Sequence, residues 1–294
     1  MIKQKLPKIT LVVLTYNRLD KLKNCINSLI KQTYSNYDIL VIDNHSKSDT
    51  YEYLETLRKH KNFNIIHLPF NYYIEGFSIG MSAALGDFVA MFDDDHIIPK
   101  DWTKKVVNEF LKEPPTTGII WTKVIEKGYK TFDKRFYSPF FSGGGCVFRK
   151  EVIRKIGVYN KKYVQWITEA NLAIRVTNRG YKILYIPYIS FVHDKPERIK
   201  QISSDNRSNF YHYRNSLWLI WMHYPWYLIP IETLFKIASA LYKDIIYFKP
   251  ILFIKTMWSA FKGLPYCLRH REPAKHKLPM DTLLDVIKYY LRKI

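Results

Sequence analysis

The sequence predicts an α/β protein with a mainly parallel sheet covered by helices, followed by a C-terminal helical extension. Three observations predict it. Through the first half, strand-length apolar runs alternate with segments of helical period. Asp93, Asp94 and Asp95 stand together where one of those runs ends. Beyond about residue 215 the chain turns aromatic and basic, with apolar stretches punctuated by lysine.

Residues 9–14 form the first strand, and Leu22, Cys25, Ile26 and Leu29 recur at helical spacing behind it. Residues 39–42 form a second strand ending at Asp43, and Tyr51, Leu54 and Leu57 mark a second helix. Residues 63–68 make a third strand and 87–92 a fourth, directly before the aspartates. Right-handed crossovers between parallel strands place Thr15, Asp43 and Asp93 along one sheet edge, the edge where open α/β sheets bind ligands. Residues 102–111 read as a helix stopped by Pro114-Pro115, and 118–121 as a short strand. Gly143-Gly144-Gly145 leads into the apolar Cys146-Val147-Phe148. A helix from 169 to about 179 ends at Gly180, and the strand-like segments 182–186 and 189–192 extend the sheet.

The first domain is read as 1–215 and the helical region as 216–294. Residues 216–231 contain no Asp, Glu, Lys or Arg, but Pro225 and Pro230 interrupt them. That argues against a spanning helix, which needs about 20 apolar residues. Lys236, Lys243, Lys249, Lys255 and Lys262 then punctuate apolar and aromatic residues. Such segments read as amphipathic helices on an anionic membrane surface, with a helical cap or a homodimer interface as the alternative.

Hydrophobic residues make up 47% of the 294, which excludes disorder for most of the chain. A net charge of +20 favours polyanionic surfaces, lipid or nucleic acid, although part of the excess follows a general richness in lysine. No nucleic-acid motif is recognisable, so nucleic acid is not the expected partner. Three scattered cysteines with no Cys-x-x-Cys pair argue against a zinc ribbon or a disulfide framework and fit a reducing cytoplasm. Lys3, Lys5 and Lys8 precede the run 9–14, which is too short for a secretion signal and reads as a buried strand.

Three adjacent carboxylates repel one another, so a fold that gathers them supplies a cation. The alternative is a solvated acidic turn capping the helix near Trp102. Around the triplet an ordered set of motifs runs along the chain. It begins with Val13-Leu14-Thr15-Tyr16-Asn17-Arg18 and Val41-Ile42-Asp43-Asn44-His45-Ser46, and continues through Asn71, Gly76-Phe77-Ser78 and Ala84-Leu85-Gly86-Asp87. After the triplet come Ser142-Gly143-Gly144-Gly145, Glu169-Ala170-Asn171-Leu172, Gly180-Tyr181, His193 and Arg214-Asn215. Taken in this order, over about residues 8–223, the chain resembles the family 2 glycosyltransferases of surface-polysaccharide type.

The resemblance implies a GT-A fold, Rossmann-like and mainly parallel with a D-x-D motif. It implies an inverting, metal-dependent enzyme, a hexosyl- or deoxyhexosyltransferase that uses a nucleotide-diphosphate sugar and a glycan or lipid-linked acceptor. Mn²⁺ or Mg²⁺ would be held by Asp93, Asp95 and His193, with Asp95 the direct ligand, Asp93 contacting metal or ribose, and Asp94 supporting. Thr15, Tyr16, Arg18, Asp43, Asn71, Gly76, Asp94, Gly144 and Arg214, with Asp93, would contact the donor. Glu169 would be the general base, one methylene longer than the family's usual aspartate, with Asn171 unable to take a proton. For Asp43 the alternative is a helix cap; for Glu169, a residue favoured at a helix N-terminus behind Thr168; for His193, packing; for the glycines, an ordinary turn. The implied location is the inner face of the cell membrane, with the protein cytoplasmic and peripheral. The competing reading is a non-catalytic binder of nucleotide sugars or of polyanions.

Overall fold

The computed structural model describes residues 6–128, 131–194, 206–246 and 249–276; Lys3, Lys5, the side chain of Lys243 and the tail beyond 276 lie outside them. The described residues fall into two compact units. One holds the residues up to 159 together with 180–194; the other holds 160–179 together with 206–276.

The first unit is built on β1 (Ile9–Thr15), α1 (Leu19–Leu29), β2 (Tyr37–Asp43), α2 (Ser48–Leu57), β3 (Phe63–His67), α3 (Glu75–Ala83) and β4 (Phe88–Asp93). These strands pair in parallel in the order β3, β2, β1, β4. β1, β2 and β4 are buried almost throughout, which is why they read as continuous apolar runs without alternation. The register sets Thr15 opposite Asp43 and Leu14 opposite Asp93, so the expected carboxyl edge is formed.

The sheet then becomes mixed. It continues through β5 (His96–Ile97), α4 (Trp102–Lys112), β6 (Thr117–Ile125), β7 (Phe136–Ser138), β8 (Cys146–Arg149) and α5 (Lys150–Ile156), and is completed by a strand later in the chain, Lys182–His193. Among the described residues that strand is β9, and the spatial order beyond β4 is β8, β6, β9, β5, with β7 also on β9. β8 is antiparallel to β4 and β6, and β6 is parallel to β9. The core packs Leu11 and Val13 of β1 with Leu22 and Ile26 of α1, Phe92 of β4, and Trp102 and Phe110 of α4.

Two expectations are refined here. The segments read as separate strands at 182–186 and 189–192 are one strand, β9. Its register against β6 jumps from Thr122–Ile186 to Lys123–Ser190, so Pro187 sits in a bulge where no ladder N–H is required. The helix α3 was not expected, because Gly76 and Gly80 lie inside it. A Cβ on Gly80 would sit 2.5 Å from Val12 Cγ1, so α3 lies on β1 only with glycine there.

The second unit holds α6 (Thr168–Asn178), α7 (Asn206–His223), α8 (Ile229–Ile246), α9 (Pro250–Lys262) and α10 (Leu264–Arg269). α7 runs without a break through 215 and 216, where the sequence reading changes domain. Its residues 213–223 are all buried, which accounts for the first half of the uncharged stretch: it is the centre of a helical core with Tyr163, Ala260 and Cys267, whereas Trp226, Tyr227 and Ile231 are exposed. Trp218 Nε1 donates to the Ala260 carbonyl (3.0 Å), and Trp221 Nε1 to Thr233 Oγ1 (2.9 Å). All three cysteines are buried and in the thiol form, outside any disulfide. No helix among the described residues is long and apolar enough to cross a membrane.

Candidate functional site

β4 ends at Asp93, and the turn into β5 carries Asp94 and Asp95. β5 pairs antiparallel with the end of β9, setting His96 opposite His193, and the Asp194 N–H donates to the Asp95 carbonyl (2.8 Å). Backbone pairing therefore brings His193 to the triplet across about a hundred residues of chain. Ligand atoms of Asp93, Asp95, His96 and His193 all lie within 4.8 Å of one another.

Within that group the carboxylates differ. Asp94 is buried and committed to the protein: Oδ2 accepts from Thr15 Oγ1 (2.8 Å) and Oδ1 lies 2.9 Å from Arg18 Nη1. Burial raises the Asp94 carboxyl to about 6; Arg18 and Thr15 oppose the rise, and the flanking Asp95 and Asp93 add to it. Asp95 Oδ2 is held by Arg18 Nη2 at 2.5 Å. Its other oxygen, Oδ1, lies 3.2 Å from His193 Nε2; both atoms are buried, and neither has a hydrogen-bond partner other than the facing atom among the described residues. Buried polar atoms are normally satisfied, and these two fit the ligand set of a hard or borderline divalent ion.

His96, which the sequence reading passed over, touches the cluster differently. Its Nδ1 accepts the Asp93 N–H (3.1 Å), so the proton of the neutral ring is on Nε2, 3.5 Å from Asp93 Oδ2. The ring orients Asp93 rather than offering a lone pair. The signal was its place directly after the triplet.

The neighbouring strand ends form a second group. Asp43, fully buried, accepts the Ser46 N–H on Oδ1 (2.9 Å) and contacts His67 Nδ1 on Oδ2 (2.7 Å); His67 Nε2 reaches Glu55 at 2.9 Å. The helix-cap alternative for Asp43 is not what forms, since α2 has Lys47 at its N-cap and no side-chain cap. Asn17 Oδ1 accepts from Lys47 N (2.7 Å) and Ser46 Oγ from Asn17 N (2.9 Å), stitching together the loops after β1 and β2. Tyr16 is exposed beside them. Asn71 Oδ1 accepts the Tyr73 N–H (2.8 Å), and the buried Asn44, absent from the expected donor contacts, brackets Tyr72 N and the Tyr73 carbonyl. A Cβ on Gly76 would lie 2.4 Å from Leu14 Cδ1, and one on Gly144 would lie 2.2 Å from His96 Cε1. Both glycines thus serve close approach.

A sheet edge with a carboxylate and histidine cluster beside a buried strand-end aspartate narrows the candidate families. The family model described as glycosyl transferase family 2 matches residues 10–157. The chain belongs to glycosyl transferase family 2. An "uncharacterized glycosyltransferase" of Haemophilus influenzae is 30% identical over 183 residues, 53% of this chain and 56% of that protein, so this chain spans only about half the length of that relative. Among solved structures, a mannosyltransferase of Pyrobaculum calidifontis in complex with GDP-Man and Mn²⁺ gives a TM-score of 0.56 at 15% identity, covering 90% of this chain and 72% of that one. GalNAc-T7, solved with UDP, GalNAc and Mn²⁺, gives 0.64 at 17% identity, covering 76% and 49%. These likenesses carry the fold, and the expected GT-A sheet is borne out.

The remaining expected residues of the family 2 pattern lie in the helical unit. Glu169 stands in the first turn of α6, where Thr168 Oγ1 donates to its Oε2 (2.8 Å). The backbone before it is unusual: Val164, Trp166 and Ile167 all have φ between 61° and 64°. Non-glycine residues in that region cost about 1–3 kcal/mol each and persist only where the surroundings hold them. Asn215 does so, its amide reaching the carbonyls of Tyr163 (2.8 Å), Gln165 (2.6 Å) and Trp166 (3.0 Å). Arg214 is also spent on this loop: Nη2 donates to the Lys162 (2.8 Å) and Tyr163 (3.2 Å) carbonyls, and its guanidinium lies over the Trp218 ring.

Proposed function

We propose that the protein is a metal-dependent inverting glycosyltransferase that moves a hexosyl or deoxyhexosyl group from a nucleotide-diphosphate sugar to a hydroxyl of a glycan or lipid-linked acceptor. The observation that carries this reading is the pair of buried atoms Asp95 Oδ1 and His193 Nε2, which face each other at 3.2 Å at the carboxyl edge of a family 2 sheet. Asp95 and His193, with Asp93, would hold Mn²⁺ or Mg²⁺, which when bound supplies Lewis-acid stabilisation of charge on the departing nucleoside diphosphate. The Mn²⁺ and nucleotide ligands of the mannosyltransferase and of GalNAc-T7 support this choice.

In this reading Arg18 fixes Asp95 through Oδ2 and leaves Oδ1 as the oxygen that would hold the ion, while Asp94 anchors Arg18 and Thr15. Asp43 accepts hydrogen bonds from the base or ribose, with Thr15 and Tyr16 beside it. Glu169 takes the proton of the acceptor hydroxyl; the oxygen attacks the anomeric carbon from the face opposite the diphosphate, and the bonding pair of the breaking bond leaves on phosphate oxygen. The place of Glu169 in the family pattern and the held, strained backbone before it support that role.

The expected boundary at 215/216 falls inside α7 and is not kept; the helical unit is read as the part that docks the protein, cytoplasmic and peripheral, on the inner face of the cell membrane. Ile251, Ile254 and Trp258 are more than three-fifths exposed along one face of α9, and the exposed Lys255 and Lys262 lie close to that face, a combination that supports anionic lipid over plain solvent. A homodimer through the same helices is the competing use of this face.

The test is donor turnover with Mn²⁺ or Mg²⁺ in the wild type, Asp95→Asn and Glu169→Gln. Losses of about 10²–10⁴-fold are expected for Glu169→Gln, with a comparable loss for Asp95→Asn and in excess chelator. Full activity in both variants, or in chelator, contradicts the reading; donor binding without turnover in the wild type favours the non-catalytic alternative.

A further inference from the structure

Glu126 has no part in the family pattern, yet sheet register delivers it to the candidate metal cluster. β6 and β9 run parallel with Ile125 opposite Val192, so the next residue along each strand, Glu126 and His193, meet. Glu126 Oε2 lies 2.9 Å from His193 Nδ1, with the two side chains 13% and 11% exposed. A carboxylate accepts and does not donate, so Glu126 favours a proton on Nδ1, while Asp95 Oδ1, 3.2 Å from Nε2, competes for one on that nitrogen. When a cation takes the place of a proton between Nε2 and Asp95, the ring proton is left on Nδ1 and is donated to Glu126. In the other tautomer Nε2 would carry the proton and donate it to Asp95, and His193 would have no lone pair to offer an ion there.

We propose that Glu126 is a positioning residue of the metal site: it selects the tautomer and ring orientation in which His193 Nε2 is available to a divalent cation, and raises the basicity of that nitrogen. Carboxylate partners of metal-binding histidines act in this way and are worth about 10–100-fold in metal affinity. This inference rests on the metal reading given under Proposed function. It adds a residue outside the candidate ligand group, just past the end of a strand, with nothing in its local sequence to mark it.

The experiment measures Mn²⁺ binding to the full chain without nucleotide, by electron paramagnetic resonance of the free ion, in the wild type, Glu126→Ala, Glu126→Gln and Asp95→Asn. Glu126→Ala is expected to weaken binding toward 100-fold and the isosteric Glu126→Gln by about 10-fold. Asp95→Asn should lose measurable binding. In parallel, ¹⁵N shifts of His193 in the protein saturated with diamagnetic Mg²⁺ should report a proton on Nδ1 in the wild type and a change in the His193 signals in Glu126→Ala that mere loss of stability does not produce. Glu126→Gln keeps the side-chain volume, so it decides the matter even where Glu126→Ala fails to fold. Wild-type affinity in a folded Glu126 variant, with binding lost in Asp95→Asn, overturns the role of Glu126 and leaves the metal reading standing. Wild-type affinity in Asp95→Asn removes both.

Discussion

At the scale of single residues, histidines do different work according to which ring nitrogen is engaged and by what. His193 and His96 face carboxylates at the sheet edge, whereas His223 is buried in the helical unit with Nδ1 donating to the Glu272 carbonyl (2.6 Å) and Nε2 facing Asn171 Nδ2 (2.9 Å). Burial lowers the His223 pKa from 6.5 to about 4, with the Glu272 contacts opposing the fall and the Arg175 and Arg271 charges adding to it. The unfolded chain therefore takes up a proton that the folded one refuses. Stability from this group is complete above pH 6.5 and is lost as pH falls toward 4, by about 3 kcal/mol in all. Asp94, with its carboxyl raised to about 6, works in the opposite direction over part of that window, so the wild type must be compared with His223→Gln in chemical denaturation from pH 7.5 to 4. The variant should be less stable at pH 7.5 and lose less on acidification; parallel curves contradict the assignment. The same residues show what was legible in the sequence. Asp93, Asp95 and His193 could be singled out because each stands at or just past a strand end in an ordered motif set. Glu126 and His67 could not, because their contacts depend on registers and strand ends that have no local signature.

At the scale of elements, the segment before α6 and the start of the buried half of α7 form one device. Three non-glycine residues in the left-handed region, two of them β-branched, are held by the amide of Asn215 and by Arg214. Asn215→Ala leaves those buried carbonyls without their donor and is expected to cost about 2–4 kcal/mol, the range for losing more than one buried hydrogen bond. Asn215→Asp keeps the volume but places an acceptor against carbonyls and should be no better. Thermal melts of the two variants check this, and a loss below about 1 kcal/mol in both would show that the loop is held by other contacts. From the sequence, Arg214 and Asn215 stood out as a motif, but their partners were out of reach because carbonyl groups leave no mark in sequence. Strand β9 shows the complementary limit: Pro187 reads as a break, and only the register jump against β6 reveals that the strand passes it in a bulge.

At the scale of the whole molecule, the excess of 46 Lys and Arg over 26 Asp and Glu becomes useful only once it is joined to the exposed face of α9. Each basic residue near an anionic surface adds about 1 kcal/mol of attraction, which salt screens. Flotation with vesicles rich in anionic lipid should recover the wild type at low salt, while Ile254→Glu with Trp258→Glu should reduce recovery at least tenfold. Unchanged flotation contradicts membrane docking through this face, and conversion of a dimer into a monomer by the same substitutions assigns the face to self-association. The α/β class, the parallel first half and the motif order were all legible because buried parallel strands are continuous apolar runs. The antiparallel returns of β5, β7 and β8, short and set by pairing partners far away in the chain, were not. The central claim is that the aspartate cluster binds a nucleotide sugar through a divalent ion, and its most direct test is a thermal-shift panel of sugar nucleotides with Mn²⁺ and with chelator. A ligand at 100 times its Kd adds about 2.7 kcal/mol to the native state. The account predicts that at least one sugar nucleotide raises the Tm by several degrees in Mn²⁺, that chelator abolishes the rise, and that Asp95→Asn does not show it; stabilisation that is equal with and without the metal, or absent for every donor, contradicts it.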